Sequence, residues 1–555
     1  MAVTTSYPGI YIQELPSSSH SITAAPTNIA VFIGYTHPLK TLPKNWGRPV
    51  EIFGFMDYQR QFGGFLRSAA FAAAGNAYAF ADDPGRDPET AFGDMAEAVN
   101  QFFLNGGTTA YVVGIQNPNL AIAGSTVTIG PLIFTATEIT DEMFGMTVTV
   151  RPVNPGASPP LSEAADIVVS YGPASGPGRV TETFRRVSME PLEADGRTPN
   201  PDYVVTRLAA SQLVTVAVGS PPGPFPAAIV VENFPTALPA STAIFEASDF
   251  TAVMQQDTAL DKLPVFNLMV IPGVTNSAVL GAALAFCERK RAFLIMDPPI
   301  AASADGGDPE FPVRIQDVMN GDVGNMPTPP EGPNAALYFP YLKSPDPLTG
   351  SAINPVTGQV NEIPPAATVA GIFAATDVAR GVWKAPAGFQ ATTNNTTGVV
   401  DRGRMTDLRQ GTLNPLGVNC LRDFPNIGTA VFGARTLVTL TDEQWRYVPV
   451  RRMALFLEQS LYANLTWVVF EPNAEPLWAA ITMSVNAFML GLFRQGAFQG
   501  TKPSEAFSVQ CNSQTTTQTD IDQGIVNIVV AFAPLKPAEF VVITIAQLAG
   551  QAQSG

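Results

Sequence analysis

Two histidines and three cysteines are all that 555 residues carry of the side chains most used for acid–base, nucleophilic and zinc chemistry. His20 and His37 both stand near the N-terminus, so a histidine-based triad or a multi-histidine metal site has no materials, and both read as ordinary polar positions. Cys287, Cys420 and Cys511 lie far apart and are odd in number. They spell neither a disulfide framework nor a zinc knuckle, and read as small buried hydrophobes in a reducing compartment. A phosphate-cradling Walker loop and a GxGxxG turn are both missing. Positive charge is scarce too: 31 Lys and Arg against 47 Asp and Glu leave a net charge of -16, with no basic run to oppose it. Such a surface repels nucleic acid and anionic membranes, so neither is expected as a partner. Long apolar runs are lacking as well. The stretches Leu268–Phe286 and Trp478–Phe493 are broken by Asn, Ser or Thr, and the second is short for a bilayer, so no membrane-spanning helix is expected. No basic residue precedes Lys40 and no continuous apolar segment opens the chain, which argues against a signal peptide and for assembly in the cytoplasm. The acceptor pattern Asn395-Thr396-Thr397 then reads as a chance match in a polar loop.

What is abundant is punctuation: 46 glycines and 50 prolines indicate many turns. The length allows two to four domains. Between them, "NIAVFIG" and "TAYVVGI" read as buried strands around a helix "DMAEAVNQFFLNGG" that ends at Gly106. After Ile115 the runs "STVTIGPLIFTATEI", "GMTVTVRPV", "ADIVVSYG", "SQLVTVAVG" and "AAIVVENF" are short and β-prone. Helix and strand patterns then resume in "FNLMVIPG", "AVLGAALAFCERK" and "AFLIMDPP". The expected fold class is therefore an α/β (α+β) core assembled from N- and C-terminal parts, with an inserted β-rich domain and extended terminal strand arms. The expected divisions are an N-terminal arm over 1–28, core over 29–115, the insert over 116–250, a loop-rich core continuation over 251–365, a C-terminal core domain over 366–535, and a C-terminal arm over 536–555.

Weak chemical signals each have a plainer explanation. "GVTNS" after the strand ending at Ile271 resembles an anion-binding turn, but a tight strand-to-helix turn explains it. The acidic loops at 81–89 and 305–310 lack the spacing of a dedicated calcium loop and read as solvated turns. Asp520 and Asp522 read as a charged entry to the strand "GIVNIVV". No catalytic residue, cofactor or metal is assigned, and the chain is not expected to be an enzyme.

Both chain ends carry a β-prone segment without a nearby partner. Tyr7, Pro8, Gly9, Ile10, Tyr11 and Ile12 precede the flexible "PSSSHS", and Phe540, Val541, Val542, Ile543, Thr544 and Ile545 follow "LKPA". Unpaired strand edges are a liability that soluble proteins cover. Either each end completes a sheet on another copy, giving a helical polymer where the rotation does not close, or both fold back on their own core.

Several segments together carry a specific resemblance: "YPGIYIQELP…TNIAVFIG", "FFLNGGTTAYVVGI", "IPPAATVAGIFAATDVARGVWKAPAG", "LNPLGVNCLRDFPNIGTAVFGARTL", "YVPVRRMALFLEQSLYANLTWVVFEPN", "GAFQGTKPSEAFSVQCNSQTT" and "APLKPAEFVVITIAQ". In that order they resemble contractile tail sheath proteins of phages, R-type bacteriocins and extracellular contractile injection systems. Residues 116–250 match only in position, where that family carries variable inserts. One chain with both terminal signatures disfavours the type VI secretion sheath, which divides them between two polypeptides. The resemblance implies a structural subunit that stacks in sixfold rings around an inner tube and contracts. It implies partners in other copies, the tube protein, and baseplate and terminator or cap proteins, within a phage tail or a released particle. It also implies intersubunit roles for the two terminal segments. A charged helix carrying Arg451, Arg452 and Glu458 is the candidate for gripping the tube, the plainer alternative being that these charges solvate a helix face or pair within the core. A non-contractile tail or baseplate protein with the same core is the alternative, and an enzyme on the insert a distant third.

Overall fold

The computed structural model describes residues 20–65, 94–116, 124–140, 144–153, 164–173, 178–193, 195–220, 222–237, 246–299, 302–304, 313–323, 328–353, 360–438 and 442–545. The described chain divides into two compact units, residues 26–452 and residues 20–25 with 453–545.

The larger unit is built on one mixed sheet of eight strands: β1 (Ala30–Tyr35), β2 (Val50–Ile52), β3 (Ala110–Ile115), β4 (Leu268–Val270), β5 (Phe293–Met296), β6 (Ala335–Phe339), β7 (Val418–Phe424) and β8 (Gly428–Val431). Their order is β2-β3-β1-β4-β5-β6-β7-β8. The six inner strands run parallel, and β2 and β8 close the two edges antiparallel. All six residues of β1 are buried, as are all those of β4, β5 and β6. Continuous apolar runs, rather than alternating ones, suit strands covered on both faces.

Helix α1 (Asp94–Leu104) and helix α3 (Ala366–Arg380) lie on one face, and α2 (Ser277–Lys290) packs on the other. Phe32 meets Phe102 edge-on at 5.3 Å, while Phe293 and Tyr338 meet Phe373 at 6.3 and 6.1 Å. The two helices of the first face touch almost at backbone distance. A Cβ on Gly371 would come within 2.6 Å of the Phe102 carbonyl oxygen, so a larger residue there forces α1 and α3 apart. Gly106 closes α1 with a left-handed φ of 106°, as its Asn-Gly-Gly ending suggests.

Between β3 and β4 the chain leaves to form, among the described residues, seven further strands. Gly145–Pro152, Ala164–Gly172, Val180–Ser188 and Val230–Asn233 make one antiparallel sheet, and Thr126–Ile129, Leu132–Ala136 and Val214–Val218 another. Here burial alternates along the strands, and the inward residues close a core of their own around Phe134, Val148, Ile167 and Tyr171. The excursion is compatible with the large sheet because β3 and β4 flank the same strand, β1. The two pieces are keyed together at 138–140. Ile139 sits in the main core, Tyr171 donates to its carbonyl at 2.6 Å, and Glu138 is buried against His37 and Lys40. Backbone N–H groups of Leu39 and Lys40 both donate to His37 Nδ1, leaving Nε2 to carry the proton toward Glu138.

The division drawn at 365/366 from sequence has no counterpart. Helix α3 and strands β7 and β8 complete the large sheet, so residues 366–452 belong with the first unit, and the boundary falls inside α4 (Val448–Asn464).

Asp297, just past β5, ties three pieces of this unit together. Its carboxylate accepts the backbone N–H of Gly273 at 2.9 Å and of Ala366, at the start of α3, at 2.7 Å. The group is 2% exposed, and burial pushes its pKa up to about 7 against the two hydrogen bonds that lower it. The unfolded carboxyl ionises near its usual value, so stability from this group is full at low pH and is lost between about pH 4 and about pH 7. Urea unfolding across that range is expected to show falling stability in the native chain and a flatter profile in Asp297→Asn, a difference of a few kcal/mol at most; identical profiles would refute the assignment.

Candidate assembly interface

The C-terminal ends of parallel strands are where α/β proteins usually place chemistry. Asp297 is there, but backbone donors hold both of its oxygens. The "GVTNS" turn, which resembled an anion site, has its Gly273 N–H filled by that same carboxylate, while Asn276 caps α2 through the N–H groups of Ala278 and Val279. Cys287, Cys420 and Cys511 are buried, and burial raises all three thiols, Cys420 to about 12, so none is a poised nucleophile. Among the described residues no group of three or more His, Cys, Asp and Glu could hold a metal ion. The acidic loops at 81–89 and 305–310 lie outside the described residues.

The smaller unit shows what this chain presents instead. Helix α5 (Glu475–Arg494) begins with Pro at its second position and buries Leu477, Trp478, Ile481, Val485, Met489 and Leu492 along one stripe. By length and composition it could cross a membrane. Its buried stripe is that of an amphipathic core helix. Beyond it, Phe507–Gln510 pairs antiparallel with Val529–Phe532, and Phe498 packs at 6.0 Å from both Phe507 and Phe532. A sheet of two strands is marginal by itself, and among the described residues its edges carry no further strand, only a bridge of Phe498 and Gln499 to Ala533 and Pro534. Asp520 does not lead into the strand, as its sequence position suggested. It closes a capping box with Thr517 on the short helix Gln518–Asp522, and those donors hold its carboxyl below the usual range.

After Val529–Phe532 the chain runs on through Pro534 and Lys536 to a segment without a ladder. Among the described residues no strand pairs with Phe540, Val541, Val542, Ile543, Thr544 and Ile545. Phe540 is 72% exposed, and Val541, Val542, Ile543 and Ile545 are 79–90% exposed. Burying one such side chain is worth about 1.5–3 kcal/mol, so the segment carries a large unmet gain.

At the other end, Tyr7, Pro8, Gly9, Ile10, Tyr11 and Ile12 lie outside the described residues. The chain that leads to them is anchored from His20 onward. The His20 ring stacks on Trp467 at 3.9 Å, and the backbone of Thr23 exchanges two hydrogen bonds with the Asn464 amide, at 3.1 and 2.8 Å. The Ala25 N–H donates to Ser460 at 3.0 Å. Residues 20–25 are thereby held by side chains of and just beyond α4.

The three charges of α4 do not form one patch. Arg452 is buried, and its guanidinium meets Asp377 bidentately at 2.9 and 2.6 Å, donates to the Thr27 carbonyl and lies 4.8 Å over Phe373. For Arg452 this is the pairing within the core that the sequence left open beside a tube-facing role. An apolar helix needs such a pair buried when Asp377 on α3 sits opposite, a spatial fact with no sequence signature. Arg451 donates from Nε to Asn334 at 2.6 Å and stacks over Trp445 at 4.8 Å. Glu458 is exposed.

Residues 441–547 match the family model of the phage tail sheath C-terminal domain. No curated protein matches the sequence. Solved structures resemble it over nearly the whole chain. A protein of the contracted sheath complex of an extracellular contractile injection system, PVC, is 21% identical over 98% of this chain and 99% of that one, with a TM-score of 0.55. The anti-feeding prophage helical sheath in its contracted state gives 22% identity over 98% and 100%, with a TM-score of 0.54. A sheath tail protein of Desulfitobacterium hafniense gives 12% over 95% and 100%, with a TM-score of 0.53. At these identities the likeness is one of fold.

The buried pair generates its own prediction. Removing one partner leaves a buried charge alone, so Arg452→Met is expected to cost about 3–5 kcal/mol in denaturant unfolding, and Arg452→Met with Asp377→Leu to recover most of it. A single variant as stable as the native chain would contradict this account.

Proposed function

We propose that this chain is the structural subunit of a contractile sheath, polymerising helically around an inner tube and contracting to drive that tube through a target envelope. The reading rests above all on the unpaired apolar segment Phe540–Ile545, on a chain whose fold is shared end to end with sheath proteins. The sheath-domain match over 441–547 contains both the small two-stranded sheet and that segment.

In this reading the open sheet of Phe507–Gln510 and Val529–Phe532 accepts strands from other copies, and the two terminal arms supply them. About six backbone bonds at about 0.5–1.5 kcal/mol each, together with the buried side chains, link each subunit to the next. The links persist while rigid bodies rotate and move outward, because the arms, and not the folded units, absorb the change. Contraction draws on new lateral contacts and needs no nucleotide. Subunits stack in sixfold rings, assembled in the cytoplasm of a bacterium together with tube, baseplate and cap proteins. With Arg452 buried, the tube-facing role proposed for α4 falls to the exposed side of Glu458. Exposed ion pairs, each worth about a kcal/mol or less, suit a grip that must release.

Negative-stain electron microscopy of the full chain beside a version ending at Leu535 tests the reading. Long hollow cylinders from the full chain, alone or with its tube protein, and only monomers or single rings from the shortened one are expected. Closed rings from the full chain under every condition would favour the non-contractile alternative and overturn this one.

A further inference from the structure

Phe470 combines two unfavourable features at one residue. Its side chain is fully exposed, and its backbone has a φ of 71°, in the left-handed region that bulky residues avoid. Among the described non-glycine residues with positive φ it is the only aromatic one. The conformation is held from both sides. The Val469 N–H donates to the Thr466 carbonyl and the Glu471 N–H to that of Val468. Asn473, three residues on, donates to the Ile525 carbonyl at 2.9 Å and accepts from Trp478 Nε1 at 2.9 Å. The backbone thus presents Phe470 outward from a held position, flanked by Val469, itself 62% exposed. A backbone outlier that its surroundings enforce, and that lifts an aromatic ring into water, points to a contact not yet made.

The location narrows the partner. Asn473 ties the loop to Ile525, and the chain runs from there directly into strand Val529–Phe532 of the open two-stranded sheet. The same chain carries a second apolar feature without cover, the segment Phe540–Ile545, which does not shield Phe470 within one subunit because both are exposed. We propose that Phe470 is an interface anchor against which the C-terminal segment of a second copy lies, fixing the position of that strand at the edge of the sheet. The inference rests on the sheath reading above and adds to it a specific residue. A backbone held in place before binding presents the ring at a fixed root, and buried aromatic side chains are among the residues that dominate interface energetics.

Substitution by glycine separates this role from a structural one, since glycine adopts the left-handed backbone without strain. Phe470→Gly in the full chain is expected to leave the melting temperature of dispersed subunits unchanged or raised. The same variant should raise the critical concentration for polymerisation, measured by pelleting and microscopy with tube protein present, tenfold or more. Val542→Ala and Ile543→Ala, one for each side of an extended segment, should also raise it. At least one of them, combined with Phe470→Gly, should raise it by clearly less than the product of the separate effects. A lowered melting temperature would show that Phe470 supports its own fold and would overturn the proposal. Polymerisation of Phe470→Gly at the native concentration would overturn it while leaving the sheath reading intact, and strictly multiplicative effects with both segment variants would reject the C-terminal segment as its occupant. A native chain that never polymerises would remove both readings together.

Discussion

Two-sided burial of a parallel sheet is the constraint on which the larger unit depends. β1 has no solvent-facing residue, and its neighbours β3 and β4 come from chain segments separated by an entire β-rich excursion. Apolar side chains on both faces require helices on both faces, and α1 and α3 can cover one of them closely only because Gly371 lets their backbones approach. The antiparallel edges β2 and β8 then end the sheet from within the same chain.

The smaller unit obeys the opposite rule. Among the described residues its sheet has two strands, and its last described segment holds five large apolar side chains in water. A folded subunit that satisfies its core but leaves a strand and an edge unmet is stable and incomplete at once. In the polymer proposed above, this division would let rigid bodies move while extended segments keep them joined. Contacts of His20, Thr23 and Ala25 fix the first described residues of the chain against this unit.

The scarcity of titratable chemistry fits the same picture. The buried carboxylates Asp297, Asp377 and Glu138 are each taken up by donors of this chain, two backbone amides, an arginine, and a lysine with a histidine. Each of them joins elements distant in sequence. Buried polar groups of this kind specify which segments meet, and their positions in a functional-looking place, such as the end of β5, do not make a site.

Periodicity and turn residues were enough to read the α/β core, the change of character after Ile115, the helix ending at Gly106 and the apolar character of Phe540–Ile545. All of these are local, because hydrophobic period and glycine conformation are properties of neighbouring residues. Sequence alone could not tell that residues 366–452 close the first sheet, that Asp520 caps a helix, or that Arg452 is buried while Glu458 is exposed. Nor could it mark Phe470, whose left-handed backbone is flanked by hydrogen bonds from Val469, Glu471 and Asn473 to Thr466, Val468 and Ile525. Those outcomes belong to tertiary structure for one reason: an arginine's partner, a strand's neighbour and a ring's exposure depend on which distant segments share space, and local pattern carries no record of that.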